Sequence, residues 1–163
     1  LAVLGLGGYF FSTPHSDGPL RLELVLAADP ELQHSFTLTL ESNQHGAGYD
    51  TLIRACGTQP PFDSHGGINV ERFQQLRNTL ESKGLMGIPD GDSQEPEAQV
   101  LYTRLTVSEN GSKRVSQWRG LPTASHRELA GAFLADPTLG PSIGKGLAAV
   151  QRFKAGVPVD LPR

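Results

Sequence analysis

One cysteine, Cys56, follows an alternating stretch of the chain, with His45 before it and His65 after it. A thiol and an imidazole are the parts of a nucleophile and its base. A lone cysteine at a strand end is far more often a small buried apolar residue. His15, Ser16 and Asp17 are neighbours in sequence. They cannot converge as a triad, which is assembled in space. Asp90-Gly91-Asp92-Ser93-Gln94-Glu95 resembles the start of a calcium loop. It lacks the glycine at the sixth position and the distant bidentate glutamate, and reads better as a solvated acidic loop. Gly140-Pro141-Ser142-Ile143-Gly144-Lys145-Gly146 has the look of a phosphate loop. The spacing is one residue short, no Ser or Thr follows Lys145 and no strand precedes it, so a helix begun by Pro141 is the plainer reading. The histidines are scattered without an i, i+4 pair, which argues against zinc. No catalytic residue, cofactor or metal is expected, and the chain does not read as an enzyme.

Binding is the better-supported chemistry. VLYTRLTVSENGSKRVSQWRG, residues 100–120, reads as a β-hairpin closed near Asn110-Gly111. A two-residue turn would set Leu105 opposite Ser116 and Val107 opposite Arg114. A three-residue loop, Glu109-Asn110-Gly111, sets Leu105 opposite Val115 and Tyr102 opposite Trp118. The second register pairs like with like and is the expected one. One face then carries Leu101, Leu105, Val107 and Val115. The other carries Tyr102, Arg104, Arg114 and Trp118, the expected protein-binding residues, because Tyr, Trp and Arg concentrate energy at interfaces. Arg104 stacked on Trp118 over a solvated face is the alternative. Asn110-Gly111-Ser112 also matches a glycosylation sequon, although a tight turn alone explains those residues.

The elements that would position this hairpin fit one domain of a 163-residue chain. A net charge of -3 gives no electrostatic case for nucleic acid. One cysteine excludes an internal disulfide framework. Nineteen glycines and twelve prolines point to much loop. The chain starts with LAVLGLGGYFF, which has no charged residue. A buried core segment, a remnant of a signal peptide and the end of a membrane anchor all fit it. The anchor is the expected reading, with Leu1, Val3, Leu4, Leu6, Tyr9, Phe10 and Phe11 in or at the lipid. The polar stretch 12–19 would be its linker, so residues 1–19 form anchor and linker, 20–156 the domain and 157–163 an irregular tail.

Leu20, Leu22, Leu24 and Leu26 alternate with more polar residues, as do Phe36, Leu38 and Leu40. Residues 28–31 turn between them. A third strand is expected over 49–56, and 57–67 reads as a Pro/Gly loop. A helix follows with Asn69 as N-cap, Ile68 and Phe73 as a staple, and Phe73, Leu76 and Leu80 as its buried stripe. Gly84 ends it. Residues 87–99 read as an acidic loop. Ser125 and Glu128 suggest a capping box for a second helix. A third helix over 142–155 would bury Ile143, Leu147 and Val150. The expected fold class is α+β: an antiparallel sheet of about five strands, two or three helices packed on one face, and the apolar segment in front.

Strands, then INVERFQQLRNTLESKGL, then YTRLTVSENGSKRVSQW, then a capped helix: this order resembles small bacterial α+β domains of the Emfourin type, over about residues 35–135. The resemblance implies a non-catalytic domain that inhibits a thermolysin-like metallopeptidase. Such domains lack the apolar start and the last helix, and no inhibitory residue is carried over. The leading expectation is a non-catalytic accessory subunit, tethered to a membrane on its extracytoplasmic, periplasmic side. It would bind subunits of a larger membrane complex, with lipid contacted through residues 1–11 and no nucleic acid. A soluble Emfourin-like binding or inhibitor domain is the alternative.

Overall fold

The structure, a computed structural model, describes residues 18–55 and 62–159. The expected anchor residues Leu1, Val3, Leu4, Leu6, Tyr9, Phe10 and Phe11 lie outside the described residues, as does Cys56. Among the described residues the order is β1 (Leu20–Ala27), β2 (Ser35–Asn43), β3 (Gly46–Arg54), β4 (Phe62–Asn69), α1 (Val70–Ser82), β5 (Gly91–Asp92), β6 (Tyr102–Glu109), β7 (Ser112–Arg119), α2 (Ala124–Ala135) and α3 (Gly140–Lys154). The fold is α+β, with seven strands in one mixed sheet rather than about five antiparallel ones. The sheet order is β4-β3-β2-β1-β6-β7-β5, and only the two-residue β5 runs parallel to its neighbour.

Alternation builds one dry face. Leu22 pairs with Leu40 on one side and Val107 on the other, and Leu24 with Leu38 and Leu105. These six side chains are at most 4% exposed. Phe73, Leu76 and Leu80 of α1, Leu129 and Phe133 of α2, and Ile143, Ala149 and Val150 of α3 join them in a single core. All three helices therefore cover the same face. α1 starts and stops as its sequence asks. The Asn69 side chain accepts from the Arg72 N–H. At the other end Gly84 takes φ +89, and the N–H groups of Gly84 and Leu85 donate to the carbonyls of Glu81 and Leu80. That is a Schellman closure, with Leu85 buried behind it. Arg77 is buried too, and donates to Glu81, to the Gly18 carbonyl and to Glu109.

Four expectations are corrected. First, the hairpin turns on two residues. Asn110 (φ 49) and Gly111 (φ 80) form the turn, Glu109 faces Ser112, and Leu105 faces Ser116. Both central residues have positive φ, the hairpin turn whose twist matches the strands. The register that pairs Leu105 with Val115 would have left Trp118 in solvent. The observed one leaves Val115 45% exposed and Trp118 7% exposed, so the larger apolar surface is the one buried. Ser116, buried in exchange, donates its hydroxyl to the Ile88 carbonyl at 2.7 Å.

Second, β2 and β3 meet at a tight turn with Asn43 opposite Gly46, so β3 starts at Gly46 and not at Tyr49. A Cβ on Gly46 would stand 2.0 Å from the Ile68 carbonyl oxygen. Third, part of the expected loop 57–67 is the edge strand β4. It is rich in glycine and polar residues, so alternation does not announce it. Gly66 sits opposite Tyr49, where a Cβ would approach that ring to 2.5 Å. The aromatic ring covers the bare backbone. Fourth, α2 begins two residues early. Thr123, not Ser125, is its N-cap, and Glu128 reaches Lys83 instead of closing a capping box. The early start buries His126, which bonds Thr123 through Nδ1 (2.7 Å) and the Pro89 carbonyl through Nε2 (3.0 Å).

The would-be phosphate loop is the first half of α3. A Cβ at Gly146 would stand 2.2 Å from the Phe36 ring, whereas Gly144 has nothing near it. Two identical substitutions in one helix should therefore have opposite signs. Gly144→Ala removes a poor helix former and stabilises by about 0.5–1 kcal/mol. Gly146→Ala overpacks the contact with Phe36 and destabilises by about 1–3 kcal/mol. Urea melts of the two variants check this, and equal shifts would show that α3 does not seat on Phe36.

Candidate functional site

The second sheet face carries no helix. Its rows run Asp50–Thr39–Glu23–Thr106–Val115 and Leu52–Thr37–Val25–Arg104–Gln117 across β3, β2, β1, β6 and β7. An antiparallel sheet can face water this way, with mostly polar residues outward, although Val25 in the middle of the second row is only 3% exposed. At one end of that face the turn after β1 stands beside the strands of the hairpin. Pro30, Leu32, Tyr102, Arg104, Gln117 and Arg119 line a groove of about 700 Å³ between them.

Each wall is held. The Asp29 carboxylate accepts from the N–H groups of Gln33 and His34 and pairs with the His34 ring at 3.1 Å. Burial pushes its pKa up, and those hydrogen bonds outweigh it, so the carboxyl lies below its usual value. Leu32 then takes φ 60, which aims the turn at the groove. The opposite wall is built on Arg119. Its guanidinium donates to Asp92 Oδ1 at 2.6 Å, to Glu97 Oε2 at 2.9 Å and to the Ser93 carbonyl at 2.8 Å. The Asp92 hydrogen bond holds Arg119 above its ordinary pKa. Asp90 takes the Gln117 N–H at 2.7 Å. The expected acidic loop is thus stapled to the hairpin, partly as β5 and partly as the 3₁₀ turn Glu97–Gln99. Glu97 also accepts from the Tyr102 hydroxyl (2.7 Å) and from Lys154 of α3 (3.2 Å), whose ammonium stands 5.4 Å from the Tyr102 ring centre.

The four expected binding residues do not share a surface. Tyr102 and Arg104 are on the open face, where Arg104 pairs with Glu23 at 3.4 Å. Trp118 lies on the helix-covered face, edge-on to His126 with ring centres 5.0 Å apart. Arg114 has the same parity and stands exposed near Gly87. Arg119 and Gln117 take the places expected of Trp118 and Ser116 beside Tyr102 and Arg104. The signal that could have found them was the Asn-Gly pair itself, which favours the two-residue turn and shifts every later residue to the opposite face. His65 and Asp50 face each other across β4 and β3 on the open side, and Cys56, the thiol His65 was matched with, lies outside the described residues. Among the described residues no group of three or more His, Cys, Asp or Glu is placed to hold a metal. Among them, too, no helix is long and apolar enough to cross a membrane.

No known protein family matches the chain, and no curated protein is significantly similar to it.

The Glu97–Tyr102 hydrogen bond has a measurable signature. The Tyr102 hydroxyl, with Lys154 next, lowers Glu97 below 4.5. The same bond raises Tyr102 above 10.0. A depressed carboxyl stabilises the fold above its unfolded pKa and loses that contribution as pH falls through the folded one. A raised phenol stabilises below its unfolded pKa and loses it as pH rises through the folded one. Glu97→Gln should return the Tyr102 titration toward the ordinary phenol range, read by phenolate absorbance against a Tyr102→Phe blank. An unmoved titration would mean that the carboxylate does not hold the phenol.

Proposed function

We propose that this chain is a non-catalytic accessory subunit that docks on a larger membrane protein complex through the open face of its sheet. The observation that carries the reading is the asymmetry of the sheet: three helices crowd one face, and of them only the Lys154 side chain at the end of α3 reaches the other, at Tyr102. The groove between the turn after β1 and the hairpin gives that face relief. Tyr102, Arg104 and Arg119 supply the residue types that anchor interfaces, and Val115 adds an exposed apolar side chain beside them. The charges there are already paired, Arg104 with Glu23 and Arg119 with Asp92 and Glu97. Paired charges keep a surface polar and specific without leaving a bare cation to desolvate.

The membrane part of the proposal rests on composition. Residues 1–11 contain no charged side chain, and residues 12–19 are a polar connection to β1. A tether of this kind on the extracytoplasmic side would hold the domain close to its partner and raise the effective concentration of the docking face. Fractionation tests the whole reading. The native chain should need detergent for extraction and should co-migrate with a larger assembly on a native gel. Arg104→Ala with Val115→Asp should release it from that assembly with the circular dichroism retained. A chain that extracts without detergent and migrates alone would sink the proposal.

A second reading comes from the resemblance to Emfourin-like domains, which rests on the sequence pattern over about residues 35–135. Under it the protein is a soluble inhibitor of a thermolysin-like metallopeptidase. Peptidase turnover with and without excess protein separates the two, since an accessory subunit should leave it unchanged.

A further inference from the structure

We propose that the part-open cavity between α2, α3 and the sheet is a binding site for a small uncharged amphiphile of about ten heavy atoms. The site lies on the opposite side of the sheet from the docking face, and the inference does not depend on that reading.

The cavity measures about 280 Å³. That is roughly twice the ~150 Å³ of an apolar cavity that accepts benzene. Its body is apolar: Leu24, Val100, Trp118, Phe133, Ile143 and Leu147 are among the residues around it. A space of this kind is unfavourable to water, because water needs several polar partners to stay.

One polar group is set deep within it. Thr103 is only 9% exposed and lines the cavity. Its hydroxyl has no hydrogen-bond partner among the described residues. No fully buried side-chain polar atom among them lacks a partner, so this hydroxyl keeps some accessible surface, at a residue that lines both the cavity and the groove beside the hairpin. A hydroxyl with so little exposure and no protein partner can exchange a hydrogen bond with a ligand hydroxyl or carbonyl. The remaining polar lining consists of Glu95, Gln99 and Gln151, all exposed at the rim. Among the described residues no lysine, arginine or histidine lines the cavity, and Glu95 is the one charged side chain there. An anionic head group would therefore enter without a counter-charge and beside a carboxylate. The chemistry selects a neutral molecule with an apolar body and one hydrogen-bonding group.

Trp118 is the only tryptophan in the chain and it lines the cavity, so its emission reports occupancy directly. The full chain is titrated with 1-octanol, n-octane and octanoate. The alcohol should shift Trp118 emission saturably, and octanoate should bind at least ~10-fold more weakly, as expected for a buried charge without a partner. Thr103→Val should weaken the alcohol ~3- to 10-fold, the usual effect of one hydrogen bond, and leave n-octane unchanged. Ala130→Leu, which places a larger side chain on the α2 wall, should abolish the response with the circular dichroism retained. If Ala130→Leu does not fold, Thr103→Val decides alone. An unsaturable response, equal binding of alcohol and carboxylate, or equal alcohol binding by Thr103→Val would overturn the proposal.

Discussion

Everything in this fold hangs on the handedness of a two-residue turn. Asn110 and Gly111 both adopt positive φ. That sets the register of β7 on β6, and register decides which face each side chain occupies. Trp118 and Ser116 go under the helices, while Val115, Gln117 and Arg119 go outside. Trp118 then meets His126 and fixes how α2 lies on the sheet. Arg119, on the other side, reaches Asp92 and Glu97 and pulls the segment between α1 and β6 into the sheet edge. A slip of one residue would exchange these roles and turn Arg119 away from Asp92 and Glu97, toward the apolar core. A buried unpaired guanidinium costs several kcal/mol, so the slip is strongly disfavoured.

The second constraint is topological. β1 lies at the centre, between its sequence neighbour β2 and the distant β6. Arg104 and Glu23 meet across 81 residues of chain. α1 bridges that gap, and its buried Arg77 ties together the entry to β1 at Gly18 and the end of β6 at Glu109. The strands β1 and β6 are thus clamped at the same end by one side chain from the helix between them. The desolvation of a buried arginine offsets much of its attraction to these acceptors, whereas removing one of them would leave its charge buried and under-paired.

The sequence was legible where a local rule and the tertiary fold agree. Asn69, Phe73, Leu76, Leu80 and Gly84 delimit α1 by capping and periodicity alone, and the structure uses all of them as read. The alternation of β1 and β2 was equally plain. It failed where a non-local interaction overrides local pattern. Gly66 in β4 is acceptable in a strand because Tyr49 covers it from the next strand. Thr123 displaces Ser125 as a cap because His126 finds Pro89, 37 residues away. The acidic stretch reads as solvated because its partners, Arg119 and Lys154, come from elsewhere in the chain. For the same reason no pattern in the sequence marks Thr103 as the buried polar residue beside an apolar cavity.

The polar cluster around Glu97 is the seam between the two surfaces with binding potential. Its residues are consecutive with those that wall the cavity: Glu95 and Gln99 face the cavity rim, and Glu97 between them faces Tyr102, Arg119 and Lys154 beside the groove. Thr103 and Trp118 line both spaces. The separation is therefore one strand pair and one short turn thick. Lys154 adds a third element, since its ammonium also donates to the Ala28 carbonyl at the end of β1. Three termini, of β1, of α3 and of the 3₁₀ turn, meet at a carboxylate that is itself exposed. Exposed ion pairs are individually weak. This one gains from sharing three donors in a network, which is the circumstance in which such contacts hold a geometry they could not hold singly.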